Sequence, residues 1–498
     1  MFNKGGRRTY NKRVAFFLLV VLVLIVSIYI YRLMYNFTIQ DDDIFHFNLA
    51  KNIIDTGVCK TDYRPLAFEN IYSLSYPPLR AYLNAASLKI FGMGYRSIFI
   101  PSLFSFLLSC LLFIIIGNSY LRNAGIIFYS CLFFLTDPLF FYYIFSARPE
   151  TTAVFLYLLI GIFFYSGHLK SKYLYWVLTG IFSGLLFLTT YNGAWVPLVA
   201  AVYLLVTKFR RVKEILVYYF FSCIIVLPYI LWIFLDEQRR GILWFQVALN
   251  SSLDLHWTRR LMNPIADFYL MFFRYHSMYP FLFLISLLIL WRYRAKYLPF
   301  ILLLIVPWIM MTCNMRAEHY LLITMGVCYL SFGLAAQEWL DNKGPAYLIA
   351  RGKKIFYIMV SAIFLFNMYF NVKYSLRRPD FIPDMDYYRK VLAENTGKDS
   401  RIVADAGLFL AADEGRKIFT IVPLIWDRWR LAYKYEDIFK ILNPDYIVLT
   451  DRIKSWVELK HPQGATFQDL LKSRFYLVKE LHDAKHGGLW IYKRAHEE

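Results

Sequence analysis

Runs of about 20 apolar residues recur along this chain, and that recurrence limits its fold more than any other feature. The first run, "VAFFLLVVLVLIVSIYIYRL", is long enough to cross a hydrocarbon core of about 30 Å at roughly 1.5 Å per residue. It is longer than the apolar core of a signal peptide and no small-residue cleavage site follows, so it reads as an anchor. Further runs lie near residues 97–117, 124–145, 149–166, 175–190, 194–207, 214–235, 277–292, 297–313, 320–337 and 355–371, which makes about eleven helices. The composition agrees, because 498 residues that are 58% hydrophobic and only 18% charged carry more apolar surface than a soluble core hides.

Sidedness follows from lysine and arginine, which short loops retain on the cytoplasmic side. "NKGGRRTYNKR", "HLKSKY", "KFRRVKE", "RYRAK" and "LIARGKK" fall in every second gap between the expected spans. The N-terminus is therefore expected in the cytoplasm of a multi-pass plasma (inner) membrane protein. Residues 34–96, 145–150, the "TYNG" turn, 236–276, "NMRAEHY" and the C-terminal segment are expected outside. The register hinges on 175–190 and 194–207. One segment kinked at Asn192-Gly193 would invert one side of the scheme, and basic loops on both flanks favour two spans. The formal charge of +20 then reads as a topogenic signal and an attraction for anionic lipid headgroups. Scattered over short loops, it offers no patch to a nucleic acid.

Residues 1–375 thus read as a membrane domain with a long first outer loop over 34–96, and residues 376–498 differ. There charges of both signs become frequent, and the β-type runs "RIVAD", "IFTIVP", "DYIVLT", "FYLVKEL" and "LWIYKR" alternate with helix-like stretches such as "DYYRKVLAENTG" and "YEDIFKIL". The fold class expected is a mainly α polytopic membrane protein with a small extracytoplasmic α/β domain at its C-terminus. No glycine-rich phosphate fingerprint joins a strand to a helix, so no nucleotide cofactor is expected. The six cysteines show no CxxC spacing and read as packing residues.

The first outer loop begins "TIQDDDIFHFNLAKNIIDTG". It predicts an amphipathic helix with Phe45, Leu49 and Ile53 on one face, Asp42 and His46 on another, and Gly57 as a stop. One aspartate caps such a helix and a second gains about 0.3–1 kcal/mol from the helix dipole, so a third is superfluous for capping. The functional alternative is a general base on an acceptor hydroxyl, with the neighbouring carboxylate orienting it or helping to hold a divalent cation. "SLSYPPLRAYLN" follows, where Pro77-Pro78 forces an extended lead into a short helix and Tyr76 or Arg80 is placed to touch a substrate. At the start of the fourth span "SARPETT" sets Arg148 and Glu150 at membrane depth, where ionisable groups suggest function. Each of these also has a plainer reading, as a cap, a loop punctuation or an interfacial pair. The aromatic-rich "RRGILWFQVALNSSLDLHWTRRLMN" reads as an interfacial helix.

An early outer Asp-Asp, then Pro-Pro-Leu, then "ARPE" at the fourth span resembles the glycosyltransferase-C superfamily, in particular the branch of protein O-mannosyltransferases and lipid A aminoarabinose transferases. The resemblance spans nearly the whole chain. It implies Asp42 as catalytic base with His46 and Ala50 at its helical spacing, Asp43 as the second acid, and Glu150 as the second-loop acid that helps bind a metal or the donor phosphate. Where the family often carries Lys or His before Pro-Pro-Leu this chain has Tyr76, a departure for which Arg80 or Arg148 can compensate. "NMRAEHYLL" resembles the late outer loop whose cation and tyrosine lie near the lipid phosphate, which implies Arg316, His319 and Tyr320. The implied cofactor is a divalent cation (Mg or Mn) at Asp42 and Glu150.

The activity this implies is inverting transfer of a sugar from a polyprenyl-phosphate donor to an acceptor hydroxyl on a lipid, protein or glycan outside the membrane. Asp42 would take the proton, and Arg148, Arg316 or His319 would stabilise the departing phosphate. Two rival classes remain. A lipid or sugar transporter or flippase would place ionisable residues near the bilayer midplane, where Asp137 is the one acidic residue within the body of an expected span. A scaffold would carry inactive helices and a partner-binding outer domain.

Overall fold

The computed structural model describes residues 12–35, 41–62, 72–74, 76–120, 124–251, 269–314, 322–341, 346–376, 385–411, 417–420, 442–458, 462–483 and 487–495. Helices run in chain order as α1 (Lys12–Tyr35), α2 (Asp41–Thr56), α3 (Leu79–Phe91), α4 (Ile100–Tyr120), α5 (Ala124–Thr136), α6 (Pro138–Ile144), α7 (Glu150–Lys170), α8 (Tyr173–Thr189), α9 (Trp195–Val206), α10 (Val212–Phe234) and α11 (Glu237–Ser251). They continue as α12 (Tyr279–Arg292), α13 (Arg294–Asn314), α14 (Met325–Asp341), α15 (Ala346–Leu376) and α16 (Met385–Asn395). Every span expected from the apolar runs is met by a helix, one of them in two pieces. Among the described residues, the stretches Tyr95–Ile116, Glu150–Lys170 and Val212–Phe234 are long and apolar enough to cross a membrane, and shorter apolar helices accompany them.

The broken span is 124–145. Asp137 leaves the helical region (φ −61°, ψ 123°) and its carboxylate accepts from the amides of Leu139 and Phe140, so that α6 starts afresh behind Pro138. The pair 175–190 and 194–207 does form two helices, joined by a 3₁₀ turn over Tyr191–Ala194. A Cβ on Gly193 would lie 2.6 Å from the amide nitrogen of Phe187, so the turn closes only on glycine. Thr190 supplies the side-chain oxygen of that turn, accepting from the Asn192 amide at 3.4 Å.

The chain divides into two compact units. The first comprises Met1–Leu33, Pro101–Leu231 and Leu255–Arg377. Within it α14 packs against α12, α5 and α7, and the core is strongly aromatic, with ring contacts running from Phe133 to Tyr329, from Tyr329 to Phe134 and from Phe134 to Phe140. Small residues permit close approach: a Cβ on Gly184 of α8 would lie 2.6 Å from that of Ile225 on α10. Some polar groups in this core are satisfied across helices, as where the Tyr157 hydroxyl donates to the Leu303 carbonyl at 2.6 Å. Cys110, Cys131 and Cys328 are free thiols buried there.

The second unit comprises Met34–Ile100, Trp232–Asp254 and Arg378–Glu498. Five strands, β1 (Arg401–Ala404), β2 (Lys417–Thr420), β3 (Tyr446–Thr450), β4 (Phe475–Asp483) and β5 (Gly487–Arg494), form one sheet in the order β2-β1-β3-β5-β4. β1 is parallel to β2 and β3, and β5 is antiparallel to β3 and β4. Each strand falls on an expected β run. Successive residues point to opposite faces, so Val403, Ile447 and Leu449 join Phe467 and Trp490 in one layer while Ile402, Ala404 and Val448 join Tyr388 and Leu392 of α16 in the other. "YEDIFKIL" lies almost wholly outside the described residues.

Candidate functional site

Arg148 and Glu150 stand on the tight turn between α6 and α7, in the first unit. Pro149 precedes α7 with helical dihedrals, and its carbonyl already accepts from Ala153 at 2.9 Å. The turn is tied to α4, where the Ser102 hydroxyl donates to the Ser146 carbonyl at 2.6 Å and Ser105 meets Thr152 at 3.0 Å. The Ser146 hydroxyl in turn accepts from the Arg148 amide at 3.2 Å. Both charged side chains are buried. Arg148 donates from Nε to Oε1 of Glu150 at 3.0 Å, and its Nη2 lies 2.9 Å from the same oxygen. The guanidinium thus engages one carboxylate oxygen twice. Oε2 of Glu150 is buried and accepts no hydrogen bond among the described residues, an acceptor in want of a donor.

Asp42, Asp43, His46, Tyr76 and Arg80 all belong to the second unit. Ile44, Phe45 and Leu49 of α2 pack on Ala81 of α3, with Tyr76, Ile53, Cys59 and Phe409 around them. The expected single apolar face is too narrow a description, since every residue from Asp43 to Ala50 is buried. The polar positions are accommodated by hydrogen bonds: Asn48 Oδ1 accepts from the Asp62 amide at 2.8 Å, and Asn52 donates to the Lys60 carbonyl at 2.9 Å. His46 sits edge-on to Phe45 at 5.5 Å and against the Tyr76 ring at 5.1 Å. Arg80 is fully buried on α3.

Asp42 and Asp43, the two candidate acids of α2, differ in access. Asp43 is buried, whereas Asp42 is half-exposed. Only Asp42 is therefore open to an incoming hydroxyl without rearrangement. Phe409, which follows β1, packs against the cluster beneath it, so the C-terminal segment helps hold the helix that carries both acids. Burial pushes the Cys59 thiol up to about 12, which leaves it an apolar packing group and not a nucleophile.

Arg316, His319 and Tyr320 lie outside the described residues. Among those described, no group of three or more His, Cys, Asp or Glu side chains gathers to hold a metal ion. Asp137, the acidic residue within the third expected span, is a structural junction: beside its two amide contacts it accepts from Ser277 at 2.7 Å and from the Tyr329 hydroxyl. Sequence reasoning also passed over Arg32, in the last turn of α1, which is buried against Phe145. Its signal was present as an ionisable residue at the end of an apolar run.

Residues 75–232 match the family model described as dolichyl-phosphate-mannose-protein mannosyltransferase, a stretch that takes in Tyr76, Arg80, Arg148 and Glu150 and starts after Asp42 and Asp43. No curated protein matches the chain in sequence. Among solved structures it is similar to ArnT from Cupriavidus metallidurans in the apo state, at 12% identity and a TM-score of 0.63 over 96% of this chain and 98% of that one. The chain has the fold of ArnT. The same ArnT bound to undecaprenyl phosphate gives 11% identity and a TM-score of 0.60, covering 95% of this chain and 98% of that one. The archaeal oligosaccharyltransferase AglB from Archaeoglobus fulgidus, in complex with an inhibitory peptide and a dolichol-phosphate, gives 12% and 0.50, covering 97% and 74%. With the fold of ArnT over 96% of its length and three stretches long and apolar enough to cross a membrane among the described residues, the protein is an integral multi-pass membrane protein.

Proposed function

We propose that this protein is an inverting glycosyltransferase that moves a sugar from a polyprenyl-phosphate carrier to an acceptor hydroxyl on the extracytoplasmic side of the plasma membrane. The observation that carries the reading is the pair of adjacent aspartates on α2, one buried and one accessible, in a chain with the fold of ArnT. Two relatives by fold, ArnT and AglB, have been solved with undecaprenyl phosphate and dolichol-phosphate respectively. A sugar nucleotide has no access to the outer face, so a lipid-borne phosphate is the activated donor that suits the position of such a site.

The chemistry is a single displacement. Asp42 accepts the proton of the acceptor hydroxyl as its oxygen bonds to the anomeric carbon, and the bond from that carbon to the phosphate oxygen breaks. The phosphate leaves with the electron pair. Asp43, buried one residue on, is the second acid of the site. Glu150 offers Oε2 to a hydroxyl of the donor sugar while Arg148 holds its other oxygen. Arg148, together with Arg316 or His319 and with Tyr320 as the resemblance implies, supplies the groups that stabilise the leaving phosphate. Tyr76 and Arg80, with His46 against Tyr76, are the further residues of this unit placed to touch a substrate. Glu150, with Oε2 left open, is the carboxylate of the first unit that would help hold a divalent cation, and such a cation would supply charge to the leaving phosphate.

The test is glycosyl transfer in purified membranes from cells lacking the gene, rescued with wild type or Asp42→Asn. The expected loss is at least about 10³-fold, within the range for removing a positioned base. Accumulation of one lipid-linked sugar in the Asp42→Asn cells is the accompanying sign. Normal transfer by the variant would remove the assignment. The transporter reading has less to stand on, because Asp137 is spent on holding helices together.

A further inference from the structure

Arg32 is nine-tenths buried in the last turn of α1 and has no carboxylate partner among the described residues. Its guanidinium lies 4.3 Å from the centroid of the Phe145 ring, which is itself stacked on Tyr29 at 4.7 Å and 16°. Nη1 is buried and donates to nothing among the described residues. A guanidinium withdrawn from water without an acceptor is costly, and a cation–π contact of about 0.5–2 kcal/mol offsets only part of that. The residue is thus held flat and in place, with hydrogen-bonding capacity left over.

Phe145 begins the turn that carries Arg148 and Glu150, so Arg32 stands at the same end of the first unit as that pair. The two arginines differ in charge balance. Arg148 is neutralised by Glu150, whereas Arg32 has no acidic partner among the described residues. We propose that Arg32 binds the phosphate of a membrane-borne lipid, donating in-plane N–H groups to its oxygens as a guanidinium fork does to phosphate. The apolar walls of Tyr29 and Phe145 exclude water from the contact, which strengthens it. The identity of the carrier, a polyprenyl phosphate that delivers the sugar, rests on the glycosyl-transfer reading. A bilayer phospholipid headgroup presents the same chemistry, and the experiment separates the two.

Full-length protein in detergent is titrated with undecaprenyl phosphate, undecaprenol and phosphatidylglycerol, comparing wild type, Arg32→Gln and Arg32→Lys. Arg32→Gln is expected to weaken undecaprenyl phosphate by about tenfold or more and Arg32→Lys by about threefold, with undecaprenol affected in neither. Loss confined to phosphatidylglycerol keeps Arg32 as a phosphate ligand and makes the bilayer the source. Equal affinities of all three proteins for both phosphates overturn the assignment. If Arg32→Gln fails to fold, an unchanged Arg32→Lys overturns it on its own. Failure of wild type to bind undecaprenyl phosphate counts against the glycosyl-transfer reading, and failure of the variants to differ counts against Arg32 alone.

Discussion

Asp137 and Glu150 open neighbouring helices of one unit, both are buried, and they are used in opposite ways. Asp137 Oδ1 accepts from the amides of Leu139 and Phe140 at 2.9 and 3.3 Å, and Oδ2 accepts from Ser277 at 2.7 Å and from Tyr329. Every lone pair that matters has a donor. Glu150 has one oxygen engaged by Arg148 and the other engaged by nothing among the described residues. The contrast gives a rule for carboxylates in a membrane bundle. A saturated acceptor is suited to hold helices in place, and a half-satisfied one retains capacity for a ligand, at the desolvation cost of a buried acceptor left open.

Substitutions that separate fold from activity test this contrast most directly. Asp137→Ala removes the cap of α6, worth about 1 kcal/mol, and strands two buried hydroxyls at about 1–3 kcal/mol each. The sum, about 4 kcal/mol, should lower the melting temperature in detergent by about 10 °C and reduce the yield of folded protein. Unchanged melting with lost transfer would make Asp137 a site residue and break the distinction. Glu150→Gln keeps an oxygen for Arg148 and loses the charge. Transfer is expected to fall about 100-fold, equivalent to about 2.7 kcal/mol, while melting moves by less than about 4 °C. A large fall in melting without a specific loss of transfer would place Glu150 with Asp137.

Long apolar runs and period-2 alternation made the helices and all five strands legible, since both patterns are set by local geometry. The break at Asp137-Pro138 was visible as a bend. Its partners were not, because Ser277 and Tyr329 lie 140 and 192 residues away and only tertiary packing brings them in. α2 was read as one-sided because His46, Asn48 and Asn52 are polar. They are buried all the same, since the asparagines hydrogen-bond the loop over Lys60 and Asp62. The order of the acidic motifs carried the resemblance and the fold has borne it out. Arg32 escaped notice because an arginine at the end of a span is usually a snorkelling flank, and only the ring of Phe145 against it shows that this one is kept from water.

The smallest expected effect asks which part of the Asp137 junction matters. Ser277 donates to Asp137 and its oxygen also accepts from the Tyr279 amide at 3.2 Å, so it links the cap of α6 to the start of α12. Ser277→Ala removes one donor while the cap and Tyr329 remain. A loss of about 1 kcal/mol is expected, read as a melting shift of about 2–4 °C, with transfer unchanged within about twofold. A shift as large as that of Asp137→Ala would mean that the start of α12, and not the carboxylate, is what the junction secures. The saturated carboxylate would then be one acceptor among several, and saturation alone would no longer separate an architectural acid from a chemical one.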